Sequence, residues 1–160
     1  MRAPFSAFLI ALCPVVCLAG QTCKVVGVSD GDTITALCPG NEQMKVRLAE
    51  IDAPEKDQPF GTRSKQALSD LCFGRAADVV PQTTDRYGRT VARVRCEGQD
   101  ASEQLVRGGM AWVFDRYVTD RSLYPLQDEA RAARRGLWVA AEPVPPWKWR
   151  KSLGLRVKHE

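Results

Sequence analysis

The stretch Lys24-Val25-Val26-Gly27-Val28-Ser29-Asp30-Gly31-Asp32-Thr33-Ile34-Thr35-Ala36-Leu37 sets Asp30-Gly31 between two runs rich in β-branched residues. Asp-Gly flanked in this way is the strongest short-range signal for a β-hairpin. The chain is therefore expected to fold back on itself here, with Asp32 just past the turn. Pro39-Gly40-Asn41 supplies a second turn. Beyond it, apolar Met44, Val46 and Leu48 alternate with Lys45 and Arg47, which predicts a third strand with Arg47 facing away from the core.

Further along, Ala67, Leu68 and Leu71 stand at helical spacing in a helix expected over Ser64 to Phe73, stopped by Gly74. Asp78 to Gln82 and Thr90 to Cys96 read as two more strands, separated by a polar connection. Asp100-Ala101-Ser102-Glu103 resembles a capping box with Asp as the cap, opening a short helix that ends at Gly108-Gly109. A last helix has Pro125 in its first turn, Arg134 and Arg135 late, and Gly136 as its stop. Pro143, Pro145 and Pro146 are expected to end regular structure. Five short strands with one inserted helix and trailing helices predict an α+β, mainly β chain: a five-stranded OB-type Greek-key barrel decorated with about three helices.

At 160 residues, 44% apolar and 26% charged, the chain has material for one compact core. Residues 1–20 read as a signal peptide: Arg2 precedes an uncharged apolar run from Phe5 to Leu18, and Cys17-Leu18-Ala19 offers small residues for cleavage. An uncleaved membrane anchor is the alternative, disfavoured because Pro14 interrupts the run. Residues 21–140 then form the domain and 141–160 a Pro-rich, then basic, tail. The expected location is the periplasm or the extracellular medium.

Cys13 and Cys17 travel with the signal, which leaves Cys23, Cys38, Cys72 and Cys96 for an oxidising compartment and predicts two disulfides. Zinc is disfavoured, since no pair has C-x-x-C spacing and no histidine accompanies them. Of three possible pairings, Cys23 with Cys38 is favoured because the Asp30-Gly31 turn lies about midway between them. Cys72 with Cys96 follows by remainder. The formal charge is +4, and residues 121 to 160 hold nine Lys/Arg against four Asp/Glu. Such a basic end suits a polyanion and equally a solvated helix face.

The single histidine is His159, next to the last residue. Triad hydrolysis and histidine-based nuclease chemistry need an imidazole held in a site, so any catalysis is expected to use carboxylates, arginines and a hard cation. Carboxylates do gather near turns: Asp30 and Asp32 at the first hairpin, Asp52 and Glu55 after the third strand. Pro54 biases Ala53 to extended backbone and ends that strand. Asp30 alone reads as a local backbone cap. Arg47 and Arg89 bracket these acids, and a guanidinium fork suits phosphate.

Taken in order, Asp30-Gly31-Asp32-Thr33, Arg47-Leu48-Ala49-Glu50-Ile51-Asp52-Ala53-Pro54-Glu55 and Asp85-Arg86-Tyr87-Gly88-Arg89 resemble the three signatures of the staphylococcal nuclease family. The likeness extends over roughly Cys23 to Trp138, through Val106-Arg107-Gly108-Gly109-Met110-Ala111 and Gly136-Leu137-Trp138. It implies an OB barrel with helices and a calcium-dependent hydrolase of DNA and RNA phosphodiesters, with little sequence preference and 3′-phosphate products. A non-catalytic OB-fold nucleic-acid-binding module is the alternative. Carried over residue by residue, Asp32 and Asp52 resemble the ligands of one calcium ion, with the Ala53 carbonyl a third, and Glu55 the general base. Arg47 and Arg89 match the arginines that neutralise the transition state. Arg86 and Tyr87 match phosphate contacts, and Tyr117 an aromatic beside the bound base. So sparse a hard-oxygen site implies weak binding, about 10⁻⁴ to 10⁻³ M. Ala53 departs from a threonine common in the family, and Asp115 stands where a second tyrosine is usual. No obligate protein partner is expected, and the chain is expected to be a monomer.

Overall fold

The first hairpin forms from β1 (Gln21–Val28) and β2 (Thr33–Cys38), paired from Lys24 opposite Leu37 to Val28 opposite Ile34. The computed structural model that shows this describes residues 20–154. The expected signal segment other than Gly20, Cys13 and Cys17 within it, and residues 155–160 with His159 lie outside the described residues. The loop between β1 and β2 spans residues 29–32 and is closed by the Ser29 N–H on the Thr33 carbonyl at 2.8 Å. Neither Asp30 nor Gly31 takes a positive φ. The turn is thus longer than the tight two-residue form that Asp-Gly usually makes. Gly31 is needed for a different reason: a Cβ there would lie 2.7 Å from Ser64 and 2.8 Å from Ala53.

β3 (Glu42–Leu48) follows through Gly40 and Asn41, both at positive φ, and pairs in register with β2. A two-residue strand, β4 (Ile51–Asp52), precedes helix α1 (Gly61–Cys72). α1 starts three residues earlier than the sequence pattern suggests, because Phe60 enters it at φ 72 with no side-chain cap to mark the start. β5 (Ala76–Thr84) and β6 (Thr90–Cys96) make the second hairpin. β5 runs beyond the expected Asp78 to Gln82 and absorbs Pro81 at a bulge between Pro81 and Thr83. β7 (Gln99–Asp100) leads into α2 (Ala101–Arg107), where Asp100 Oδ1 accepts the Glu103 N–H at 3.1 Å as the capping pattern predicted.

After α2 come β8 (Trp112–Val113), paired with β4, then α3 (Leu123–Ala132) and a 3₁₀ turn over Gly136–Val139. α3 ends before Arg134, so Gly136 opens the 3₁₀ turn rather than stopping the helix. The largest departure is a fourth helix, α4 (Pro146–Ser152), in the stretch expected to lack regular structure. Pro146 is its first residue, where a missing N–H costs nothing and the fixed φ favours a helix.

The sheet order β3-β2-β1-β5-β6 closes when β6 pairs in parallel with β3, Val46 opposite Thr90 and Leu48 opposite Ala92. Among the described residues the result is a closed five-stranded mixed barrel, mainly β, with four α-helices, as expected for an OB-type fold. Val25, Ile34, Val46, Leu48, Val79 and Val94 fill its interior with no exposed surface. Each such side chain contributes roughly 1.5–3 kcal/mol by leaving water. Disulfides join Cys23 to Cys38 across the first hairpin and Cys72 to Cys96 between α1 and β6. No helix among the described residues is long and apolar enough to cross a membrane.

Candidate active site

Barrel closure determines where the acids go. Arg47 lies opposite Thr33 on β2 and opposite Val91 on β6, near the end of β3, and its half-buried side chain leaves the face opposite to Val46 and Leu48. This is the outward direction expected from strand alternation, with Val46 and Leu48 buried on the core side. Its Nη1 donates to the carbonyls of Leu48 and Ile51 at 3.1 and 3.0 Å. Its Nη2 lies 3.1 Å from Asp52 Oδ1 and 3.3 Å from Asp32 Oδ2. Two carboxylates, one from the β1–β2 loop and one from β4, thus converge on one guanidinium nitrogen, with side-chain exposures of only 9% for Asp32 and 2% for Asp52.

The Ala53 N–H donates to Asp32 Oδ2 at 3.1 Å, so the backbone of the residue after Asp52 meets the same carboxylate. Thr33 Oγ1 donates to Asp32 Oδ1 at 3.0 Å and accepts from Arg89 Nη1 at 3.4 Å. That links the 85–89 turn to the acid pair. Arg89 is aimed by Asp85, whose Oδ2 takes its Nε at 2.8 Å and whose Oδ1 takes the N–H groups of Tyr87 and Arg89. Burial pushes the Asp85 carboxyl up, but these bonds outweigh it and hold the group below its usual value. Arg86 and Tyr87 flank Arg89 on the same turn, the exposed Tyr87 ring lying 5.0 Å from the guanidinium of Arg86 and 5.4 Å from that of Arg89. Both are set on the rim, away from the carboxylates.

Asp30 caps the hairpin turn, accepting the Asp32 N–H at 3.1 Å. Burial and then the Asp32 charge push its carboxyl up to about 6. Burial also raises Asp52, opposed by the hydrogen bond from Arg150 and reinforced by the charge of Asp32. The backbone of Glu55 is held through Gln58, whose Oε1 accepts the Glu55 N–H at 3.1 Å and whose own N–H donates to the Glu55 carbonyl at 2.9 Å. Gly61 permits this, since a Cβ there would lie 1.9 Å from that carbonyl. The Glu55 carboxylate joins the acid pair through a residue that sequence reasoning missed: Arg150 on α4 contacts both Glu55 Oε1 and Asp52 Oδ2.

Phe114, which sequence reasoning did not single out, is an aromatic residue beside Arg47. Phe114 lies 6.0 Å from the Arg47 guanidinium and carries Trp147 of α4 stacked on it at 5.4 Å. Tyr117 is exposed, meets Phe114 edge-on at 5.0 Å between centroids and has the Arg116 guanidinium 5.4 Å from its ring. No local pattern marked Phe114 or Trp147 as neighbours, because 33 positions separate them. Glu50, at φ 69, props the wall behind Asp52: its Oε1 accepts the N–H groups of Thr119 and Asp120 at 2.9 Å and the Thr119 hydroxyl.

The donor set is hard oxygen throughout, without a histidine or thiol, which suits a group-two cation rather than zinc. Among the described residues no three acid, histidine or cysteine groups form a closed cage. Any cation here would rest on two carboxylates and backbone oxygen.

Residues 45–140 match the family model described as "Staphylococcal nuclease homologue". The chain is 45% identical over 131 residues to an "Uncharacterized endonuclease" of Haemophilus influenzae, covering 82% of this chain and 74% of that protein. It is 44% identical over 138 residues to an "Uncharacterized endonuclease" of Escherichia coli O157:H7, covering 86% and 89%. A "Micrococcal nuclease" of Shigella flexneri is 41% identical over 140 residues, covering 81% and 80%. The ordered signatures, the closed barrel and these matches agree: the chain belongs to the staphylococcal nuclease family.

Proposed function

We propose that the chain is an exported, calcium-dependent nuclease that hydrolyses DNA and RNA phosphodiesters with little sequence preference and leaves 3′-phosphate ends. The observation that carries this reading is the convergence of Asp32 and Asp52 on Arg47, with Glu55 and Arg89 bonded into the same cluster. A module that only bound nucleic acid would have no use for three carboxylates gathered at one site, which repel phosphate. Asp32, Asp52 and the Ala53 carbonyl would hold calcium, which supplies Lewis-acid polarisation of a phosphoryl oxygen.

Glu55, half exposed at the mouth, takes the proton from the attacking water as general base. Arg89 is pre-aimed by Asp85 and Arg47 by two carbonyls, so both forks reach charge developing on phosphate without ordering themselves first. Tyr87 and Arg86 on the rim meet flanking phosphates. The two disulfides support an oxidising compartment and so the reading of residues 1–20 as an export signal.

Digestion of plasmid DNA and of RNA by residues 21–160, with calcium or with chelator, tests the reading. Cutting is expected to stop in chelator, and end-labelling is expected to show 3′-phosphates. Glu55→Gln is expected to slow the reaction about 10²- to 10⁴-fold, and Arg89→Lys, which keeps charge and loses the fork, about 10²-fold or more. Undiminished cutting in chelator would refute the mechanism, and 5′-phosphate ends would refute the assigned product.

A further inference from the structure

The seating of Arg150 has a consequence for the cation. Nη2 of Arg150 lies 2.8 Å from Asp52 Oδ2, and Nη1 lies 3.3 Å from Asp52 Oδ1 and 2.5 Å from Glu55 Oε1. Both oxygens of Asp52 are therefore engaged by one guanidinium, in a place where the Asp52 side chain is 2% exposed. The contact is built rather than incidental. α4 is tied down by the Val144 carbonyl, which accepts from Gln58 Nε2 at 2.7 Å, and by Trp147 lying flat on Phe114 with 7° between the planes. Trp149 sits in an apolar recess with Pro54, Pro59 and Phe60, the loop that carries Glu55. Gln58 thus holds both the Glu55 backbone and the segment that delivers Arg150.

Resting on the cation site proposed above, we propose that Arg150, carried in on α4 and bonded to Asp52 and Glu55, is a built-in competitor for the divalent cation at Asp52. One set of carboxylate lone pairs serves either the guanidinium or the metal. Arg150 offers one positive charge and a fork of matching shape, whereas the cation offers two charges. The cation displaces the fork once its concentration exceeds a threshold, and that threshold is set by how firmly α4 holds Arg150. Reciprocity follows: whatever factor Arg150 takes from cation affinity, the cation takes from the seating of Arg150. Arg47 also opposes the cation through its charge, but it is not displaced, because its Nη1 is committed to two backbone carbonyls and it spans the acid pair from the strand that carries it.

Calorimetric titration of calcium into residues 21–160 tests this with the wild type, Arg150→Ala, Arg150→Gln and Asp52→Asn. Removing the competitor is expected to tighten calcium binding about five- to a hundredfold, the usual span of coupling between two ligands. Arg150→Gln keeps the Cβ–Cγ–Cδ stem that packs on α4 and removes the charge, so it carries the result if Arg150→Ala melts early. Binding in the wild type that Asp52→Asn abolishes, with unchanged or weaker affinity in both Arg150 variants, would overturn this inference and leave the cation site standing. No heat of binding in the wild type or in either Arg150 variant would remove the cation site itself, and this inference with it.

Discussion

Replacing Arg47 by alanine separates its structural work from any part it plays in turnover. The substitution removes Nη1 from the Leu48 and Ile51 carbonyls and Nη2 from both carboxylates. Removing one partner of a buried ion pair usually costs about 3–5 kcal/mol. The lower end applies here, because Asp52 keeps Arg150 while Asp32 keeps the Thr33 hydroxyl and the Ala53 N–H. At about 3 °C per kcal/mol for a domain of this size, the melting midpoint in chelator is expected to fall by about 10 °C. Calcium should return part of that loss, since a cation between Asp32 and Asp52 supplies the charge that Arg47 removed. For a dissociation constant near 10⁻³ M, about 10 mM calcium stabilises the wild type by roughly 1.4 kcal/mol, and the variant is expected to gain more. Differential scanning calorimetry in chelator and in 10 mM calcium, with the disulfides intact, reads both numbers. The reasoning is refuted if Arg47→Ala melts within 2 °C of the wild type in chelator, or if calcium raises both midpoints equally.

Two further outcomes follow from the frame around the site. Burial raises the Glu50 carboxyl, but its bonds from Thr119 and Asp120 and the nearby Arg93 outweigh this and hold it below its usual 4.5. A depressed carboxyl adds stability above its unfolded pKa and loses it as pH falls through the folded one. Glu50→Gln is therefore expected to cost about 2 kcal/mol at neutral pH, as charge-assisted bonds become neutral ones. It should also flatten the acid limb below pH about 4.5 in urea melts against pH, and an unchanged limb would refute the assignment. Opening the Cys72–Cys96 bridge by paired serine substitution releases a loop of sequence separation 24, for an expected loss of about 3.5 kcal/mol in urea melts. Opening Cys23–Cys38, with separation 15, should cost about 3 kcal/mol.

Local pattern alone carried the barrel. Alternation in β2, β3 and β6, the Gly40-Asn41 turn, the Asp100 cap and the hairpin at residues 29–32 are each decided by residues within a few positions of one another. The acids and arginines were legible for the same reason, since each lies in a short ordered signature. What stayed hidden depends on contacts between distant segments. The two-residue strands β4 and β8 exist only because Ile51 and Asp52 meet Val113 and Trp112. The partners of Arg47 were hidden as well, because its two carboxylates and the Ile51 carbonyl come to it from the loop before β2 and from β4.

Prolines before Trp147 read as an end to structure, yet Pro146 starts a helix held by Phe114 and Gln58 from elsewhere in the chain. A guanidinium 98 positions from Asp52 cannot be paired with it by any spacing rule. Which residues carry hard-oxygen and phosphate chemistry is written in side-chain type and short-range order. That Arg150 shares Asp52 and Glu55 follows from packing between distant segments, because the contacts of Trp147 and Trp149, not local propensity, hold α4 beside the site.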